Sequence, residues 1–267
     1  MKKLVTLSIL AALSSPAFAG IQTELAQESN NDTTARVGYV HDSGMSAGLE
    51  TVFSDGLKNT KEVTVDAAWK FNLSNNVYIQ PQAAVTVPVH NRSISGEAND
   101  PNSADQANFK VKKGETYKLG VKAGYEADNG LFASARYRYD MADNKVKLSG
   151  KIDGDKFDGR LKDRERVHRT DLTLGYNTDV ATLSVNWIHK EGKDKASAYS
   201  GKNTERLGKM KTKTDEFEFK AVANTFGDLK PYAQYTVKTD TKGTDALGEK
   251  FKAKNDNVFK VGLVYNF

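Results

Sequence analysis

Arg136 and Arg138 are the clearest candidates for a chemical role in this sequence. They lie two positions apart in a stretch where apolar and polar residues alternate, so both side chains share one face if the stretch is a β-strand. A guanidinium group presents a planar fork of donors that matches a carboxylate, and a row of such groups lets an acidic ligand pass from one to the next. The chemistry predicted from these residues is weak, repeated anion binding.

Other features that could perform chemistry are less specific. Residues 44–48, GMSAG, match the Gly-x-Ser-x-Gly pattern of a nucleophilic serine. That motif needs a turn from a strand into a helix, whereas Ser46 opens a predicted strand and has no evident histidine partner. The four histidines are scattered without metal-ligand spacing; they are His41, His90, His168 and His189. We therefore predict no catalytic residue, no metal site, no cofactor and no enzyme activity.

The elements that would position the arginines are β-strands, since the chain alternates apolar and polar residues. At the C-terminus Phe259, Val261 and Leu263 alternate with Lys260 and Gly262, the period expected of a strand with one apolar face. Twelve such strands are predicted, at residues 21–27, 34–40, 45–53, 62–73, 77–90, 116–126, 131–147, 166–177, 181–190, 214–225, 230–238 and 257–267.

The connections between these strands differ in length. Tight turns rich in Asn, Asp and Gly are predicted at residues 41–44, 74–76, 127–130, 178–180 and 227–229, and long charged loops at residues 91–115, 147–165 and 191–213. Short periplasmic turns and long extracellular loops are typical of outer-membrane barrels. Aromatic residues near both ends of the strands fit two interfacial girdles, which a soluble β-sandwich does not explain. We predict an all-β, 12-stranded antiparallel transmembrane β-barrel.

Composition and the N-terminus agree with this fold class. The chain has 267 residues, no cysteine and 39 Lys+Arg against 34 Asp+Glu, and 38% of its residues are hydrophobic. Its mean hydropathy of −0.60 argues against a helical membrane protein, but not against a barrel with a polar interior. Residues 1–19 combine a basic start, an apolar run and a small-x-small ending, the pattern of a Sec signal peptide. We expect residues 20–267 to form the barrel in the bacterial outer membrane.

The face opposite the apolar one should line the barrel interior. Its predicted bases are Arg36, Lys70, Lys118, Lys122, Arg136, Arg138, Arg169, Lys220, Lys238 and Lys260. Its predicted acids are Glu24, Glu50, Asp66, Asp140, Asp171, Glu216 and Glu218. Five bases fall on three consecutive strands, and we call this set the basic wall: Lys118, Lys122, Arg136, Arg138 and Arg169. Such a wall favours anions; alternatively, the bases only neutralise the inward acids and solvate the lumen.

Two segments resemble a known family. YKLGVKAGYEADNGLFASARYRYD at residues 117–140 and FKVGLVYNF at residues 259–267 are similar to a hairpin and the last strand of the oligogalacturonate-specific porins, the KdgM-like family, which includes sialic-acid channel relatives. The resemblance implies a twelve-stranded monomeric barrel with an arginine-lined pore that passes acidic sugars. It also implies that Arg136 and Arg138 line the lumen.

The expected function is passive diffusion of acidic oligosaccharides, oligogalacturonate-like or built from other uronic or sialic acids, through a narrow pore with basic residues along its wall. The alternatives are a general small porin and a non-conducting barrel whose loops bind a surface partner. Outer-membrane lipid and lipopolysaccharide are expected partners, and nucleic acid is not. Basic residues of a predicted outward loop are expected to meet lipopolysaccharide phosphates or the incoming sugar: Arg160, Lys162, Arg164 and Arg166.

Overall fold

The chain forms a single antiparallel β-sheet that closes on itself. The computed structural model describes residues 20–90, 93–99, 106–152, 155–200, 203–245 and 247–267, and the predicted signal peptide lies outside them. The strands are β1 (Ile21–Glu28), β2 (Thr33–Val40), β3 (Met45–Ser54), β4 (Asn59–Trp69), β5 (Phe71–Asn72), β6 (Val77–Pro88), β7 (Ser93–Asn99), β8 (Gln106–Lys112), β9 (Thr116–Glu126), β10 (Leu131–Ile152), β11 (Asp155–Asn177), β12 (Ala181–Ser200), β13 (Asn203–Ala223), β14 (Leu229–Lys238), β15 (Thr241–Thr244), β16 (Lys250–Ala253) and β17 (Val258–Asn266).

Twelve strands build the barrel wall, which confirms the predicted fold. Their order around the wall is β1, β2, β3, β4, β6, β9, β10, β11, β12, β13, β14 and β17, with every neighbouring pair antiparallel. Pairing of β1 with β17, in which Leu25 faces Leu263, closes the ring, and β5 continues β4. Closure leaves no free edge among these twelve strands, so backbone polar groups along the wall are paired without water, as a lipid environment requires.

The alternation of residues divides the wall into two faces. Large apolar side chains such as Leu119, Leu172 and Leu183 are exposed on the outside, while Asp171 and Thr64 are buried on the inside. An apolar outer surface of this extent is covered by lipid rather than water. None of the described residues forms a helix long and apolar enough to cross a membrane.

Short turns connect the strands at the end of the barrel where β1 begins and β17 ends. Gly44 and Gly130 occupy two of these turns with φ of +84° and +90°. A Cβ at Gly130 would lie 2.1 Å from the carbonyl oxygen of Asn177, and one at Gly44 would lie 2.3 Å from that of Lys70. Both the backbone conformation and the close approach therefore require glycine.

At the opposite end the structure corrects the prediction of long loops. Strands β10 to β13 run for 22, 23, 20 and 21 residues, so most of the residues predicted as loops 147–165 and 191–213 are paired strand. The hairpin of β7 and β8 lies within the predicted loop 91–115 and pairs with β10. The wall already holds these strands in register, so each further pair of residues forms its backbone hydrogen bonds without the entropy cost of closing a new loop. We call the upper parts of β10, β11, β12 and β13, together with β7, β8, β15 and β16, the extramembrane sheet.

The extramembrane sheet stands on one side of the barrel only. The connections after β1 and β3, residues 29–32 and 55–58, are as short as the turns at the other end, so connection length does not alternate strictly. The tall side is formed by the upper parts of β10, β11, β12 and β13, flanked by β7 and β8 and by β15 and β16. On one side of the barrel mouth the strands therefore extend well beyond the barrel, and on the other side they end at its rim.

Candidate functional site in the charged lumen

The residues of the basic wall lie on adjacent strands and face the lumen. The register pairs Lys122 with Arg136 and Lys118 with Asp140 across β9 and β10. It pairs Arg138 with Arg169 across β10 and β11. Period-2 alternation places all five bases opposite the exposed apolar face. Two guanidinium groups thus project from directly opposite positions, which requires nearby carboxylates to offset their repulsion.

Two aspartates supply that compensation. Asp171 is 3% exposed and accepts hydrogen bonds from Nε of Arg136 and, at 2.7 Å, from Nε of Arg169. Asp140 accepts two bonds of 2.7 Å from Nε and Nη2 of Arg138. Charge-assisted bonds of this kind hold the guanidinium planes in fixed orientations. The arginines of the basic wall are therefore oriented, ion-paired groups rather than free cations.

The lysines of the wall differ from its arginines. Among the described residues, neither Lys118 nor Lys122 forms an ion pair with a carboxylate. Nζ of Lys122 lies 5.5 Å from the ring centroid of Tyr78, and Lys118 borders the cavity described next. These two ammonium groups are the wall's cations without a salt-bridge partner in the described part of the chain.

A cavity of about 400 Å³ lies in the lumen beside the wall. Its charged and amide lining comes from strands on both sides: Arg36, Glu50, Asp66, Gln80, Gln82, Lys118, Arg136 and Arg138. Arg36 donates two bonds, of 2.5 and 2.9 Å, to the carboxylate of Asp66. Glu50 is the register partner of Arg36 on β3. The cavity therefore has bases on two facing sides, each accompanied by a carboxylate.

The remaining predicted lumen bases lie outside this cavity. Lys70 bonds Glu126 at 2.9 and 3.0 Å near the short-turn end, and Lys260 pairs with Glu28 at 2.6 Å. The last two predicted bases are Lys220, whose Nζ lies 4.1 Å from the ring centroid of Tyr232, and Lys238, which faces Glu216 in the register. The structure thus gathers Arg36, Lys118, Arg136 and Arg138 and leaves the other bases distributed along the lumen.

Inward aromatic rings narrow the lumen near the short turns, a feature that our choice of charged candidates missed. Tyr78 and Tyr232 are each 6% exposed and lie over Gly124 and Gly262, where a Cβ would approach the rings within 2.2 and 2.6 Å. The hydroxyl of Tyr232 also donates to Glu24 at 2.5 Å. Each tyrosine occupies an inward position of its strand, so alternation alone could have located it.

Ile188 and the two glutamines of the cavity were also missed. Ile188 is 0% exposed and lies between Asp171 and Glu216 in the register. It follows Trp187, so the local pattern does not show which of the two apolar residues faces inward. Gln80 and Gln82 occupy regular inward positions of β6 and were identifiable from the same alternation as the tyrosines.

Carboxylates line the inner face of the extramembrane sheet. Glu165 and Asp194 face each other across β11 and β12, and Oδ1 of Asp194 is buried without a hydrogen-bond partner in the described residues. Burial, followed by repulsion from Glu165 and Asp163, raises the pKa of Asp194 to about 6. Burial also raises the pKa of Glu165. The mouth of the lumen therefore loses negative charge as the pH falls from neutral to mildly acidic values.

The serine of the Gly-x-Ser-x-Gly match is part of the lumen wall. Ser46 is the second residue of β3, and its hydroxyl lies 3.5 Å from the carbonyl oxygen of Ala68 on the neighbouring strand. His41, the nearest histidine in the sequence, instead contacts the hydroxyl of Ser43 at 2.9 Å in the short turn. Ser46 therefore lies on a regular strand and not on the strand-to-helix turn that the motif needs.

The fold and the lumen define a twelve-stranded antiparallel β-barrel, closed around a narrow polar interior with charges of both signs. The NanC porin is 15% identical over 92% of this chain and 100% of its own, with a TM-score of 0.52. The KdgM porin, solved in complex with disordered oligogalacturonate, is 10% identical over 92% and 98%, with a TM-score of 0.53. The translocator domain of the autotransporter NalP from Neisseria meningitidis is 14% identical over 99% and 95%, with a TM-score of 0.51.

These similarities establish the architecture. No protein-family model matches the sequence, and no curated protein matches it either. At these levels of identity the comparison concerns the fold, and it confirms that the chain has the fold of the KdgM-like porins.

Proposed function

We propose that this protein is an outer-membrane channel through which acidic oligosaccharides diffuse passively. The observation that carries the proposal is the lumen cavity, into which Arg36, Lys118, Arg136 and Arg138 project from two sides. A closed wall with an apolar exterior supports placement in the outer membrane. The closed wall leaves none of its twelve strands free to pair edge to edge with a second copy, and we propose that the protein is a monomer.

Oriented guanidinium groups suit this task because they retain donors for a passing anion. An arginine has five N–H donors. Arg138 binds Asp140 through Nε and Nη2, and Arg136 contacts Asp171 through the same two nitrogen atoms. The Nη1 groups take no part in these bonds and are available to a carboxylate of the solute. Paired carboxylates weaken each such contact, and weak contacts allow the solute to leave.

An acidic sugar is the solute class that this lumen fits best. Carboxylates spaced along an oligosaccharide can exchange between Arg36 and the basic wall, while Gln80 and Gln82 offer donors and acceptors to sugar hydroxyls. The KdgM porin, which has the same fold, was solved in complex with oligogalacturonate. We therefore propose uronic or sialic acid oligosaccharides as substrates here.

A general small porin is the second candidate, and the ion pairs favour it. Asp140 and Asp171 offset much of the charge of Arg136, Arg138 and Arg169. A lumen of balanced charge passes small solutes of either sign with little preference. The two candidates differ in whether acidic sugars block the ion current more strongly than neutral sugars do.

Reconstitution of the refolded barrel in planar bilayers tests the proposal. We expect ion conductance, an anion-selective reversal potential in a salt gradient, and block by oligogalacturonate or sialic acid at concentrations where maltohexaose has no effect. Absence of conductance would contradict a channel, and cation selectivity would contradict the basic-wall mechanism. Equal block by charged and neutral sugars would favour the general porin.

A pair of charge reversals tests the residues. Arg136→Glu with Arg138→Glu is expected to shift the reversal potential towards cation selectivity, because both side chains border the lumen cavity. Lys58→Glu with Lys254→Glu is the matched control, since it changes the net charge equally at exposed sites outside the cavity. An unchanged reversal potential in the arginine variant would show that these side chains do not control the pore.

A further inference from the structure

The outer face of the extramembrane sheet carries rows of bases that face each other across neighbouring strands. In one row Arg164 of β11 faces Lys195 of β12, which faces Lys209 of β13. In the next row Arg166 faces Lys193, which faces Lys211. We call these six residues the outer basic belt. Like charges directly opposite each other destabilise a sheet, so the arrangement favours a bound anion that relieves the repulsion.

Few carboxylates offset the outer basic belt. Asp143 is the register partner of Arg164, but it accepts its ion pairs from Lys162 at 2.7 Å and Arg166 at 3.0 Å. These two bases hold the pKa of Asp143 below its usual value despite the opposing effect of burial. Farther along β10, Lys145 faces Lys162 and Lys147 faces Arg160. The region therefore holds a clear local excess of positive charge.

The register shows that the belt points away from the lumen. Arg164 and Arg166 share the face of β11 that exposes Leu172, Leu174 and Tyr176 below them. Lys209 and Lys211 share the face of β13 that exposes Phe217 and Phe219. The opposite face of the same sheet carries Glu165 and Asp194. The sequence left open whether these bases meet lipopolysaccharide phosphates or the incoming sugar. The structure favours lipopolysaccharide, because an acidic solute that enters the lumen meets the opposite face of the sheet.

The height of the belt matches the headgroup region of a membrane. Ten residues separate Tyr176 from Arg166 along β11. That is about 34 Å along a strand, or about 25 Å along the barrel axis once strand tilt is included. An apolar band of about 25 Å is the usual height of the lipid-facing surface in such barrels. The bases therefore begin where the acyl chains end.

We infer that the outer basic belt binds the phosphate groups of lipopolysaccharide in the outer leaflet. Two rows of polar residues, which include Glu191 and Asp215, separate the belt from the aromatic and aliphatic face below it. Glu191 pairs with Lys213 and Asp215 with His189, so they leave the belt itself unneutralised. A ligand for this surface must therefore carry anionic groups above apolar chains. The phosphorylated glucosamine headgroup of lipid A has that chemistry, and lysine and arginine clusters bind phosphate. This inference rests on the outer-membrane placement in the proposed function but not on conduction.

Titration of the refolded barrel with purified lipid A, followed by native mass spectrometry, tests the inference. We expect Lys195→Glu with Lys209→Glu to weaken binding at least about 25-fold, because each of the two lost bases contributes about a fivefold factor near an anionic surface and the new carboxylates repel phosphate. Lys58→Glu with Lys254→Glu is the matched control and should bind within about threefold of the unaltered protein. All four lysines are exposed, and heat-modified gel migration verifies that each variant folds.

Further arms identify the ligand. Lipid A stripped of both phosphates should bind no better to the unaltered protein than to the belt variant. Equal binding of the stripped and phosphorylated lipids, or an unchanged affinity of the belt variant, would overturn the inference. Displacement of lipid A by millimolar inorganic phosphate would identify a site for free anions instead. Tighter binding of heparin or short DNA than of lipid A would identify a general polyanion surface.

Conductance measured on the same variants separates this inference from the channel proposal. The belt lies outside the lumen, so Lys195→Glu with Lys209→Glu should leave single-channel conductance unchanged while lipid binding falls. A barrel that binds lipid A through the belt but does not conduct would contradict the proposed function alone. A conducting barrel with lipid binding that is insensitive to the belt would contradict this inference alone.

Discussion

Asp171→Asn tests how the lumen balances stability against selectivity. The carboxylate of Asp171 is buried and holds both Arg136 and Arg169. Removing one partner of a buried ion pair costs about 3–5 kcal/mol. The two arginine side chains are 27% and 17% exposed, so we expect a loss near the lower limit, about 3 kcal/mol of unfolding free energy.

The same substitution should strengthen anion selectivity. It leaves one additional positive charge on the lumen wall. At a separation of about 7 Å and a dielectric between those of bulk water and the protein surface, such a charge contributes about 1 kcal/mol to its interaction with a permeating anion. This is roughly a fivefold change in local anion concentration. In a tenfold salt gradient the reversal potential should move by about 20 mV towards its anion limit of about 59 mV.

Two assays on one preparation check these values. Urea unfolding in detergent measures the stability, and reversal potential in planar bilayers measures the selectivity. Asp179→Asn is the control, because Asp179 is exposed in a short turn. The substitution makes the same chemical change away from the lumen. Reversal potentials equal to that of the unaltered barrel, or displaced towards cations, would refute the assignment of Arg136 and Arg169 as pore-lining charges.

Two further predictions concern pH and packing. Anion selectivity should increase as the pH falls from 7.5 to 5 with a midpoint near 6, because protonation of Asp194 removes negative charge from the mouth; Asp194→Asn should abolish this step in reversal potential. Since the folded pKa of Asp194 lies above its unfolded value, the folded barrel should also gain stability as the pH falls through 6. Gly262→Ala should lower the unfolding free energy by about 1–3 kcal/mol, because its Cβ would lie 2.6 Å from the ring of Tyr232.

Each of these predictions has a control within the chain. Asp128→Asn, in an exposed turn at the other end of the barrel, should leave the pH step intact. If the step persists in Asp194→Asn, another group is responsible. Gly38→Ala should be nearly neutral, since a Cβ at Gly38 meets its nearest atom at an ordinary 3.6 Å. Equal destabilisation at Gly38 and Gly262 would show that the clash with the tyrosine ring does not explain the loss, since the backbone effect of Gly→Ala is stabilising.

The sequence alone determined the wall and its two faces. Period-2 alternation depends only on neighbouring residues, so it identified twelve strands and assigned Arg136, Arg138 and Lys118 to the interior before any pairing was known. It did not identify the strand content of residues 147–165 and 191–213, because charged and small residues there resemble loop composition. Strand pairing continues through most of these residues because the wall beneath them has already aligned the neighbouring strands.

Only the tertiary structure decided which groups meet. The partner of Arg136 is Asp171, 35 positions away in sequence, and the cavity adds Arg36 from the opposite side of the barrel. These contacts depend on the register between strands and on closure of the ring, and local alternation encodes neither. The same register converts scattered lysines of the extramembrane sheet into the outer basic belt. The sequence thus specified which face each base occupies, and the register of the closed sheet specified its neighbours.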